Sequence, residues 1–251
     1  MTARIAQVHA NGKGWKMCWS ASASVAFVAI GGAATAVTYM RGEPKAIWVT
    51  LGFFTLMEGL QAAGYAVADQ CTDPANRTLT WASYLHIAIQ PIFVNAFAMA
   101  IAPRPVSPGT QKVVYSIVVL CSVILLFQTV PLEALGPCRP GTALCGVATC
   151  LFSGEWHIGW HLPMNGLFNE VLRVSKMAYP SYFVAVFLIP VFYGAWRLAL
   201  FHLLAGPVAA SFLTSNPSEM PAIWCLFSIG IALIALSPPI RYGVMRAPRP
   251  A

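Results

Sequence analysis

Charged residues make up only 9% of this 251-residue chain, with eight Asp and Glu against fifteen Lys and Arg. A soluble domain surrounds its core with a surface that is roughly 25–35% charged, so a water-facing globular fold is excluded. Several reactive signatures are also missing. There is no glycine-rich phosphate loop, no dinucleotide fingerprint and no nucleophile elbow, and no lysine lies mid-span where it would form a retinal Schiff base. The sequence therefore names no reaction. The net charge of +7 comes from bases scattered through short loops rather than gathered on one face, which argues for phospholipid headgroups and against nucleic acid.

Apolar residues are abundant instead: 58% of the chain is hydrophobic and the mean hydropathy is +0.67. Runs of about 18 or more apolar residues recur, each long enough to cross a hydrocarbon layer of roughly 30 Å as a helix. Barrel strands would alternate polar and apolar residues, whereas Val113 to Phe127 and Pro221 to Ser237 are apolar on nearly every face. The predicted fold is all-α, a polytopic transmembrane helix bundle. Its spans cover about 18–40, 46–68, 79–102, 113–130, 179–195, 198–213 and 220–240. The fifth and sixth rest on a break near Gly194 to Arg197; without it the count is six.

Residues 1–16 read as a disordered extension, 17–245 as one membrane domain and 246–251 as a basic tail. Arg4, Lys13 and Lys16 ahead of an apolar run imitate a signal peptide, but the run through Met40 is long enough to span, and Met17 is an alternative initiator. Bases concentrate on the face carrying Arg41, Lys45, Arg104, Lys112, Arg197, Arg241, Arg246 and Arg249, which puts the C-terminus in the cytoplasm and the N-terminus outside. Cys18, Cys71, Cys138, Cys145 and Cys150 fall on the outer side, where disulfides can form, with partners that spacing cannot assign. Cys121 and Cys225 lie within spans as packing residues.

Glu58, in the middle of span two, is the strongest functional clue, because an ionisable group at that depth needs a partner or a role. Gln61 and Tyr65 follow on the same helix face; span three carries His86, Gln90 and, deeper, Asn95. Antiparallel pairing puts Gln61, Tyr65 and His86 at similar depths in the outer half, with Glu58 somewhat below. This is either a pocket for a small ligand, proton or metal, serving transport or sensing, or a purely interhelical hydrogen-bonded cluster.

The long connection 131–178 contains His157 and His161, four apart and on one face if that segment is helical. Together with His86 they form a candidate zinc set, with Glu58 as general base of a lipid hydrolase. Glu155 precedes the pair, so this is not the HExxH motif. The blander expectation is an amphipathic or re-entrant segment lying among headgroups. A third reading is a structural subunit of a membrane complex. Asn76-Arg-Thr78 fits a glycosylation sequon, and Pro190 and Gly206-Pro207 are expected to kink their helices.

Met17-Cys-Trp-Ser20, Met57-Glu58 with Gln61, Cys71, His86 with Gln90-Pro91 and Asn95, Gly206-Pro207 and the stretch Glu219 to Ser228 together resemble an uncharacterised multi-pass membrane family of unknown function. The resemblance runs over nearly the whole chain from Met17 and implies membrane localisation without supplying an activity. Seven-helix zinc hydrolases of the alkaline ceramidase type fit poorly, because the histidines do not follow that helix-by-helix arrangement and no Asp lies within a span.

Overall fold

The computed structural model describes residues 19–169, 179–227, 229–237 and 239–241. The expected 1–16 extension and 246–251 tail lie outside the described residues. Among the described residues there are eight helical stretches: α1 Ala21–Met40, α2 Lys45–Gly64, α3 Pro74–Ala100, α4 Pro108–Phe127, α5 Pro180–Phe192, α6 Trp196–Leu213, α7 Met220–Phe227 and α8 Ile229–Leu236. Five of them, α1 to α4 and α6, are long and apolar enough to cross a membrane.

Two helices begin about five residues earlier than expected, for one reason. Pro74 and Pro108, left outside the expected spans, are first-turn residues, where their missing N–H costs nothing. Asp73 caps α3 through Ala75 N–H at 2.7 Å with Pro74 next, and Ser107 caps α4 through Thr110 N–H at 3.1 Å with Pro108 next. The break between α5 and α6 falls where the sequence put it. Gly194 has φ +90°, a conformation that favours glycine, and α6 folds back against α5.

Two of the interior prolines sit at π turns, Val184–Leu188 ahead of Pro190 and Leu204–Val208 around Pro207, whereas Pro91 lies within the α-helical turns of α3. In the π register residue 190 would donate to the Ala185 carbonyl, which proline cannot do. Asn95 Nδ2 donates to that carbonyl instead, at 2.8 Å.

Helix α3 is the central element. Thirteen of its side chains are buried, including Tyr84, Phe97 and Ala98. By contrast, α1 and α4 expose Val25, Ile30, Val113, Leu120 and Val123, apolar surface of the kind a bilayer covers.

Residues 150–161 are not helical. Strands β1 Cys150–Ser153 and β2 Ile158–His161 pair antiparallel, Cys150 opposite His161 and Ser153 opposite Ile158. This overturns the amphipathic-helix expectation: a four-residue histidine spacing reads equally as a turn residue followed by a strand. The hairpin is tied to the ends of the bundle. A disulfide joins Cys71 to Cys150, Asp69 Oδ2 accepts from Ser153 Oγ at 2.6 Å, and a second disulfide joins Cys138 to Cys145. At the opposite end Arg241 makes a two-armed ion pair with Glu43, both bonds 2.9 Å, and Arg41 donates to the Leu236 carbonyl.

Candidate functional site

Glu58 and Gln61 sit one turn apart on α2, 3% and 0% exposed. Among the described residues neither Glu58 oxygen accepts a hydrogen bond, and Gln61 Oε1 is equally unpartnered; Gln61 Nε2 reaches across to the Ala222 carbonyl of α7 at 3.4 Å. Glu58 is close enough to Cys225 and Tyr65 to act on both electrostatically. Two unmade hydrogen-bonding positions on a buried carboxyl are unusual in a folded interior.

The other expected site residues are largely spoken for. His86 stacks on Phe53 with ring centroids 3.7 Å apart, and its Nε2 lies 2.7 Å from the Phe53 carbonyl. That partner precedes Glu58 by five residues, so His86 sits roughly 7.5 Å deeper along the α2 axis, reversing the expected order. The early start of α3 shifts its register against α2. Gln90 Oε1 accepts from Tyr182 Oη at 2.6 Å, and Asn95 Oδ1 accepts from Tyr193 Oη at 2.9 Å. Both therefore clamp α3 to the α5 segment rather than line an open pocket. The interhelical reading fits Gln90 and Asn95, fits one end each of His86, whose Nδ1 is unpartnered among the described residues, and of Gln61, and does not fit Glu58.

Nor do the histidines converge on a metal. No three His, Cys, Asp or Glu side chains gather within reach of one ion among the described residues, so His86, His157 and His161 do not form the expected zinc set. His86 is within α3, whereas the hairpin turn and β2 hold the other two at the end of the bundle. His161 packs on Phe152 at 4.4 Å. His157 is fully buried; its Nδ1 accepts from Ile158 N–H at 2.8 Å, which leaves the proton on Nε2, and Tyr65 Oη is 3.4 Å from the same Nδ1. Burial holds both imidazoles neutral, pushing His157 down to about 3 and lowering His161.

Sequence reasoning passed over the best-connected polar residue. Glu219, fully buried just before α7, accepts the N–H groups of Glu155 (3.0 Å), Trp156 (2.5 Å) and His157, together with the Thr214 hydroxyl (2.7 Å). Its only sequence signal is an acid in the polar turn before an apolar span, and the partners that define it lie 62 to 64 residues away. Above this node Trp19 stacks on Trp156 at 5.6 Å and on His157 at 6.0 Å. Asn76 is a second missed node. Its side chain bonds the Val67 carbonyl and both backbone groups of Leu151, and it is fully buried, so a glycan on the sequon is incompatible with this packing.

Residues 22–245 match the model of a family of unknown function, DUF5765. The chain belongs to this family. No curated protein and no solved structure matches it. The match spans α1 to α8 with the hairpin, so Glu58, the Glu219 node and both disulfides all fall within the shared region.

Proposed function

We propose that this chain is a seven-span membrane protein in which Glu58 binds a proton inside the bundle, for transport or sensing. The observation that carries the reading is the Glu58 carboxyl itself, buried at the α2–α7 interface with both oxygens unpartnered among the described residues. An uncompensated ionised carboxylate in such a place costs several kcal/mol, and a proton offsets that cost without any further ligand. Gln61 Oε1, one turn along the same helix, is also buried without a partner among the described residues, so two neighbouring acceptors are unfilled.

The sorting of polar groups supports seven crossings with the N-terminus outside, α5 and the Met220–Leu236 segment being the two short ones. The 66–73 turn, the hairpin, the 214–219 turn and both disulfides share one end, suited to an oxidising compartment. Arg41, Arg241 and the α5–α6 turn next to Arg197 belong to the other, cytoplasmic end. The zinc hydrolase has no geometric support, because its three ligands stand apart.

Dicyclohexylcarbodiimide, which modifies protonated carboxyls in apolar surroundings, tests the proposal on the protein in liposomes. Mass spectrometry is expected to locate the adduct on Glu58, with labelling that declines as pH rises and vanishes in Glu58→Gln. Absence of a Glu58 adduct across the physiological pH range would sink the proton-binding role and favour a structural subunit.

A further inference from the structure

A groove of about 360 Å³ opens between the start of α5, the outer half of α6 and α7, walled by Phe183, Leu203, Pro207, Val208, Met220 and Trp224. This volume falls in the range of ligand sites. Local sequence creates it. The π turn around Pro207 displaces the helix wall, and Gly206 leaves room for the Trp224 indole, which stands 2.3 Å from where a Cβ would be. Polar groups in the lining are already engaged: Tyr179 Oη donates to the Ala143 carbonyl at 3.1 Å, Trp224 Nε1 to His202 at 2.7 Å, and Ser211 Oγ to the Val208 carbonyl at 2.7 Å.

We propose that this groove holds one acyl chain of a bilayer phospholipid. A polar ligand entering it would give up water and find no unengaged donor in return, whereas hydrocarbon loses nothing. Beside the groove α6 exposes Leu204, Phe212 and Leu213, so the medium that meets its mouth is the lipid tail region. Pro217, in the polar turn before α7, lines one end, and the adjoining Ser215 and Asn216 are placed at headgroup level. A tail inside and a head at that turn match an amphiphile end to end. Inward, the groove shares Tyr179, Pro221 and Trp224 with a smaller cavity of about 30 Å³ that reaches the Gln90–Tyr182 pair.

The inference rests on the seven-span reading, and its test separates the two. The full chain is reconstituted in liposomes containing phosphatidylcholine with a photoactivatable diazirine on one acyl chain, and adducts are mapped by mass spectrometry. Adducts at Leu203, Val208 and Met220 are expected to exceed, several-fold per residue, those at the exposed Val113, Leu120 and Val123 of α4. Val208→Trp, which fills the groove, is expected to remove the first set and spare the second; Leu203→Phe serves the same purpose if that variant does not fold. Equal density on α4 and in the groove, or adducts unaffected by the filling variants, overturns the bound chain and leaves the membrane reading standing. Lack of adducts on α4 as well overturns both.

Discussion

Replacing Glu219 should loosen the hairpin from the bundle, and the structure sets the size of the effect. Its two oxygens serve four donors, Oε1 taking Trp156 and His157 N–H, and Oε2 taking Glu155 N–H and the Thr214 hydroxyl. In Glu219→Gln the amide oxygen can keep the first pair, and the new NH2 can donate to the Thr214 oxygen. One backbone N–H, that of Glu155, is left facing a donor, and the charge assistance is lost everywhere. The expected cost is about 2 kcal/mol. Glu219→Ala leaves three N–H groups without an acceptor, two of them at the buried end of the turn, for roughly 2–6 kcal/mol. In a chain of this length 1 kcal/mol moves Tm by about 2–4 °C, so the Gln variant should melt roughly 4–8 °C low and the Ala variant lower still. Cys121 and Cys225 are buried within helices, so a thiol-reactive dye in detergent reports the melt as they become exposed. A Gln variant that melts with the parent, or an Ala variant no worse than Gln, would refute the account of Glu219 as the tie between hairpin and α7.

Three further outcomes are expected. His157 ionises near 6.5 when unfolded and near 3 when buried, so the unfolded chain takes up its proton first as pH falls. Stability should be full above pH 6.5 and decline toward pH 3, by at most about 1.4 kcal/mol per unit, and His157→Asn should flatten the pH dependence of Tm; an unchanged slope contradicts the buried neutral imidazole. Removing the Cys71–Cys150 disulfide, whose ends are 79 residues apart, should lower Tm more than removing Cys138–Cys145, 7 apart, with chain-entropy limits of about 4.5 and 2.5 kcal/mol; the reverse order counts against the pairing. After expression in a glycosylating secretory host, glycosidase should leave the mass of the folded fraction unchanged, since Asn76 is enclosed and a glycan there would block folding; a folded, glycosylated form would show that site open.

How far the site could be read from sequence depended on the distance over which each feature is decided. Glu58 stood out alone, because one acid amid apolar residues is a local anomaly. The pairing of His86 with Gln90 on α3 and the deeper place of Asn95 were also legible, but their partners Phe53, Tyr182 and Tyr193 were not, since they depend on helix register and on how α5 packs. Pro74 and Pro108 were left outside the spans that begin at about 79 and 113, because proline marks loops as readily as helix starts; the preceding Asp73 and Ser107 were the deciding signal. The hairpin was missed because Ile158-Gly-Trp-His161 is too short for periodicity to separate helix from strand.

The sequence by itself determined the solvent and the secondary structure of most of the chain. Sparse charge and long apolar runs leave hydrocarbon as the natural surroundings, and backbone groups there must be satisfied within each helix. Tertiary structure decided which polar residues are occupied and which are not. Hydrogen bonds to Gln90, Asn95, Asn76 and Glu219 come from segments distant in sequence, and packing leaves the Glu58 carboxyl without a partner among the described residues. Composition records which donors and acceptors exist, but pairing is a matter of distance and angle.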